Sequence, residues 1–113
     1  MAKPLNFKMV PKQYLTVTLP DEKGTTLLIG TPNKRLMDDL TVLQASIDAI
    51  EENAVNTESF DELYNACAKI MSRNKANIII TKETLEDIFD FEDIMIFFNA
   101  YMEFIDEVSN AKN

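Results

Sequence analysis

The spacing of apolar and polar positions changes period once along the chain, near Asn33. Before that point, "YLTVTL" (Tyr14–Leu19) alternates apolar and β-branched side chains with the period of two expected of a strand. "PDEKG" follows with turn chemistry, because Pro20 fixes φ and Gly24 can adopt φ > 0. "TTLLIG" (Thr25–Gly30) then predicts a returning strand, so residues 14–30 read as an antiparallel β-hairpin. An isolated hairpin is marginal in water, and its apolar face must lie on something else. All four prolines and both glycines fall in this first third, and nothing comparable interrupts the chain afterwards.

After Asn33 the period becomes helical. Thr31-Pro32 carries a helix-start signal, and Leu36, Leu40, Leu43, Ile47 and Ile50 recur at alternating spacings of four and three. This predicts a helix over about 32–53 with one core-facing stripe. Ser59-x-x-Glu62 fits a capping box for a second helix over about 59–73, whose inner side carries Phe60, Leu63, Tyr64, Cys67, Ile70 and Met71. "NIII" (Asn77–Ile80) reads as a short extended run added to the edge of the hairpin. Thr81 is placed to cap a third helix (82–89), with Glu83, Glu86 and Asp87 in its early turns. Asp90 either caps a fourth helix over 91–109 or lies within one continuous helix. The expected fold is α+β, mainly α: one domain over 1–113, with residues 1–12 an extended or partly disordered lead-in.

The last helix carries more apolar surface than one core contact needs. Ile94, Phe97, Phe98, Tyr101, Ile105 and Val108 form one face at helical spacing. Phe91, Met95, Met102 and Ile105 form an adjacent face, with Ile96 and Phe104 flanking. The combined arc exceeds the roughly 100° stripe of a surface helix. Such a helix is either enclosed on all sides or shared with a partner, and so small a domain has little with which to enclose it. Phe91, Met95, Phe98, Tyr101, Met102 and Ile105 are therefore the candidate partner-binding residues, the methionines suiting a surface that must repack.

Composition narrows the chemistry. The chain has no histidine, one cysteine and a formal charge of −8. Without histidine the commonest general base and metal ligand is missing, and no P-loop, dinucleotide fingerprint, nucleophile elbow or calcium loop appears. Pairs such as Glu86/Asp90 fit a solvated helix face better than acid–base catalysis. Cys67 lies inside an apolar stripe and reads as a small core side chain. The expectation is a non-enzymatic protein with no cofactor and no metal. Basic residues gather at the front (Lys3, Lys8, Lys12, Lys23, Lys34, Arg35), while the acidic excess lies behind them. The net charge of −8 argues against nucleic-acid binding, which needs clustered cations. The longest apolar run, Ile94–Phe98, is far short of the ~20 residues that span a bilayer. No signal-peptide pattern opens the chain, so a cytoplasmic location without membrane contact is expected.

The order of these elements resembles a known family. The hairpin "YLTVTLPDEKGTTLLIGTP" leads into a long helix, and "SRNKANIIITKETLEDIFDFEDIMIFFNAYMEFI" brings in an acidic, aromatic-rich helix pair. The pattern, over about Gln13–Val108, is similar to that of the small tail assembly chaperones of long-tailed bacteriophages of Gram-positive hosts. The resemblance implies a protein of the host cytoplasm, absent from the mature virion. It would bind the hydrophobic helical tape-measure protein, act with the tail-tube protein, and self-associate without a cofactor. The family uses a frameshift near the end of the short reading frame, and Ala111-Lys112-Asn113 can be encoded by a slippery run.

Two readings of other classes stand beside it. An acidic inhibitor mimicking nucleic acid would exploit the carboxylates of residues 36–113, but those are interleaved with apolar positions at helical spacing. A small structural subunit of a larger assembly is the other.

Overall fold

The computed structural model describes residues 4–51 and 57–110. Its elements run β1 (Leu15–Thr18), β2 (Thr26–Ile29), α1 (Lys34–Glu51), α2 (Thr57–Met71), α3 (Lys82–Ile88) and α4 (Phe91–Asn110). The α+β, mainly α architecture follows the expected order, a two-stranded antiparallel hairpin and four helices. In the hairpin Leu15 faces Ile29 and Val17 faces Leu27. Leu27 and Ile29 are buried, whereas Leu15 and Val17 are half-buried. The turn is held by Asp21, whose carboxylate accepts from the Thr25 amide (2.9 Å) and hydroxyl (2.7 Å), while Gly24 adopts φ +61°.

The expected start of α1 at Thr31-Pro32 is corrected. Asn33 is the cap: its Oδ1 accepts from the Leu36 amide at 2.9 Å, and the helix begins at Lys34. An asparagine carbonyl three residues ahead of an orphan amide caps better than a threonine five residues ahead. Leu36, Leu40, Leu43 and Ile47 form the buried stripe as expected. The side chain of Ile50, the predicted end of this helix at 52–53, and the chain end at Ala111–Asn113 lie outside the described residues.

The capping box at Ser59-x-x-Glu62 is also corrected. Helical backbone is already present at Thr57, so Ser59 lies within α2, and the Glu62 carboxylate instead accepts from Ser46 Oγ at 3.0 Å. That bond ties α2 to α1. The central element is α2, which packs on α1, α3, α4 and β2. Its Leu63, Cys67, Ile70 and Met71 are buried, and Ala66 and Ala68 widen the buried arc with side chains short enough to let neighbours approach.

The "NIII" run does not join the hairpin. The edge of β2 meets Asn74 instead, through an Ile29–Asn74 bridge and a Lys75 amide donating to the Leu28 carbonyl at 2.9 Å. Two side chains do for residues 78–80 what a neighbouring strand would have done. Asn74 Oδ1 accepts from the Ile78 amide (2.9 Å), and its Nδ2 donates to the Ile78 (2.7 Å) and Met71 (2.8 Å) carbonyls. Ser72 Oγ accepts from the Ile80 amide and donates to the Ile80 carbonyl, each at 3.0 Å. Asn77 turns the chain with φ +61°, which asparagine tolerates. Buried Asn74 is thereby satisfied.

Thr81 caps α3 as expected, accepting from the Thr84 amide at 3.1 Å. The alternatives at Asp90 resolve in favour of a break. Phe89 is extended, and Asp90 and Asp93 cap each other reciprocally, Oδ1 of Asp90 taking the Asp93 amide (2.8 Å) and Oδ2 of Asp93 the Asp90 amide (3.2 Å). The Phe89 carbonyl accepts from the Tyr64 hydroxyl at 3.0 Å. One core draws on every element, from Leu19 and Leu27 through Leu36 to Leu85 and Phe98. The overall extents are 58 × 33 × 20 Å. A thickness of 20 Å is about two layers of secondary structure, too few to enclose a helix on every side.

Candidate functional site

Helix α4 is where surplus apolar surface was expected, and the structure divides it sharply. Ile94, Phe97, Phe98, Tyr101 and Phe104 are buried. Of the six candidate residues, Phe98 (1% exposed) and Tyr101 (0%) are corrected: they belong to the domain's own core and are closed to a partner in this structure. Tyr101 stacks on Phe97 with ring centroids 6.2 Å apart, and its hydroxyl donates to the Gly30 carbonyl at 2.9 Å. Burial pushes its phenol pKa up to about 12, with the Arg73 cation pulling the other way. Phe104, expected to flank the face, is buried against Tyr101 at 6.1 Å.

The other four remain near the surface in different places. Phe91 is 41% exposed and meets Phe60 edge to face at 5.0 Å. Met95 and Ile105 are half-buried against the core. Met102 lines a cleft of about 420 Å³ between α4 and α1, opposite Met37, Leu40, Thr41 and Ala45, with Asp48 at one end. This cleft brings Met102 together with α1, not with Phe91. The candidate residues therefore do not form one continuous face.

Sequence reasoning missed the α1 wall. Met37, Thr41 and Ala45 lie one position round from the Leu36–Leu40 stripe at spacings of four, and that off-stripe methionine was the available signal. A second apolar cleft, of about 320 Å³, lies on the opposite side of α4. Leu15, Val17 and Pro20 of the hairpin form one wall, and Phe89, Ile96 and Phe97 the other, with Asp93 at its rim. Ile96 is 65% exposed there.

Cys67 is fully buried and its thiol is pushed up to about 12 by desolvation, which makes it an inert packing group at neutral pH. Among the described residues, no three or more acidic or cysteine side chains converge to hold a metal ion. No described helix is long and apolar enough to cross a membrane. What the surfaces offer is shape and apolar area: two clefts flanking α4, each with a flexible or aromatic wall and a carboxylate at its edge. No protein-family model matches the chain, nor does any curated protein or solved structure.

Proposed function

We propose that this protein is a non-enzymatic tail assembly chaperone of a long-tailed bacteriophage, acting in the host cytoplasm and leaving before the virion is complete. Its client is the tape-measure protein, held through an apolar helical segment. The observation that carries the reading is the α1–α4 cleft, lined by Met37 and Met102 together with buried Leu40. A cleft between two helices accepts a third helix by its apolar side chains at positions i, i+3, i+4 and i+7. Methionine walls adapt to clients of varied sequence, which suits a long, apolar helical partner.

The binding residues on this reading are Met102 and Met37, with Ile105 and Met95 supporting the ridge behind them. Phe98 and Tyr101 hold the helix in place and make no client contact.

The test is co-expression with the tape-measure protein of the same phage, reading the soluble fraction of the client. Wild-type protein should keep it soluble, and Met102→Asp combined with Met37→Asp should not. Val42→Asp, on an exposed position of α1 outside the cleft, should behave as wild type. A client equally insoluble with and without the wild-type chain overturns the function. A client rescued equally by the double variant overturns the site. Binding that weakens steeply with added salt would favour an acidic mimic of nucleic acid instead.

A further inference from the structure

We propose that the segment Leu5–Val10 of one copy docks along the free edge of β1 of a second copy, exchanging arms in a closed pair. The inference is independent of the client reading above, and its test contains no client.

Two surfaces of the same chain are left unsatisfied. The first is the N-terminal arm. Leu5, Phe7 and Met9 are 70%, 71% and 76% exposed, and they alternate with polar Asn6 and Lys8. Three large apolar side chains at a period of two lie on one face once the backbone is extended. Pro4 and Pro11 bracket the segment, so it can pair as a separate short strand and change direction before β1. Among the described residues, its backbone makes only local turn bonds, Met9 amide to Asn6 carbonyl (2.9 Å) and Lys8 amide to Asn6 Oδ1 (3.0 Å). Docking exchanges these for bonds to a strand.

The second is the outer edge of β1. The sheet has two strands; β2 is bridged on its far side to Asn74, and β1 has no neighbour there among the described residues. Edge strands are commonly guarded by a charge, a proline or a bulge. Leu15-Thr16-Val17-Thr18 has none of these. Beneath this edge lies the cleft floored by Ile96 and Phe97. A strand added at β1 would lay its inward side chains across Ile96, continuing the face that Leu15 and Val17 begin. At about 3.3 Å per residue, Leu5–Val10 is long enough to run the whole of β1.

Charge and position identify the occupant as a second copy. The arm carries Lys8, with Lys3 and Lys12 on either side, and the cleft is rimmed by Asp93 with Glu92 beside it. The root of the arm is tied to the wrong side of its own domain for docking in place. Lys12 and Tyr14 line a cleft with Arg73 and Lys75, beyond β2, and the Lys75 ammonium sits 5.7 Å from the centre of the Tyr14 ring. The side chains at the root of the arm thus point toward the β2 side, whereas the open edge is on the β1 side. Reciprocal exchange between two copies fills both clefts and closes the assembly at two.

The experiment is the oligomeric state of the full chain by light scattering across a dilution series, for wild type, Phe7→Asp and Ile96→Asp. Both substitutions fall on exposed positions, and far-ultraviolet dichroism confirms that the variants remain folded. The wild type should dimerise, and each variant should weaken the dimer by about tenfold or more, as expected for a large apolar contact replaced by a carboxylate. In a mixture of separate Phe7→Cys and Ile96→Cys chains, a short thiol-specific cross-linker should join one to the other. A wild-type chain that stays monomeric overturns the exchange and leaves the edge to a strand from another protein. So does a dimer indifferent to either variant, or cross-linking confined to single Phe7→Cys/Ile96→Cys chains.

Discussion

The Tyr101 hydroxyl donates to the Gly30 carbonyl at 2.9 Å, fastening the middle of α4 to the last residue of the hairpin across most of the sequence. The hairpin cannot stand alone, and this bond, with the ring stacked on Phe97, fixes where it rests. Tyr101→Phe keeps the volume and removes only the donor. It should cost about 1–2 kcal/mol, the range for leaving a partly buried acceptor unpaired, measured by urea unfolding.

Alkaline pH should destabilise the protein, most of all through two buried groups. Tyr101 and Cys67 have ordinary values of 10.0 and 9.0, and burial raises each to about 12. A group with a raised folded-state pKa contributes its full stability below the unfolded value and loses it as pH rises towards the folded one. Unfolding free energy should therefore fall between about pH 9 and 12, with a slope approaching 1.4 kcal/mol per pH unit for each group ionised in the unfolded chain. Cys67→Ala should remove the earlier part of that decline, beginning near pH 9, as read by chemical denaturation at stepped pH.

Asn74 is the buried polar side chain on which the loop between α2 and α3 depends, through bonds at 2.7, 2.8 and 2.9 Å. Asn74→Leu should cost about 2–4 kcal/mol, because it strands a Met71 carbonyl and both backbone groups of Ile78. Hydrogen exchange should show the loss first at the Ile78 amide.

Positions on α4 that look equivalent in sequence should respond oppositely to charge. Phe98→Asp buries a carboxylate in a site 1% exposed and should abolish the cooperative folding transition at neutral pH. Ile96→Asp, at 65% exposed, should change the stability of the dissociated chain, measured at high dilution, by less than about 0.5 kcal/mol. Thermal melts of the two variants separate them directly.

Asp90→Ala removes the Oδ1 that receives the Asp93 amide at 2.8 Å. The expected cost is about 1 kcal/mol, visible as a lowered melting temperature.

Much of this architecture was legible in the chain because periodicity reports which side of an element is apolar. The hairpin, the Leu36–Ile47 stripe and the buried Ile94–Tyr101 face all follow from spacing alone. The errors have a common physical source, since competing polar groups cannot be ranked until the backbone is placed. Thr31-Pro32 reads as the helix start, whereas the side chain that reaches the Leu36 amide is that of Asn33. Ile78–Ile80 reads as a strand, and two preceding side chains take up its hydrogen bonds. For the candidate surface, the width of the apolar arc on α4 was visible. Its division was not, because enclosure depends on which neighbours cover each side, and the Met37 wall belongs to a distant part of the chain.

The bonds that Ser72 and Asn74 make to residues 78–80 bear on how the folded chain meets other chains. Ile78-Ile79-Ile80 is a β-branched run of the kind that seeds cross-β stacking, and Ile79 stays 81% exposed even in the folded protein. Its backbone is nevertheless withheld from other chains at Ile78 and Ile80 by side chains a few residues away. In the folded protein Ser72 and Asn74 therefore leave that exposed run few free backbone groups with which to recruit a neighbouring strand, so their loss should cost solubility as well as stability.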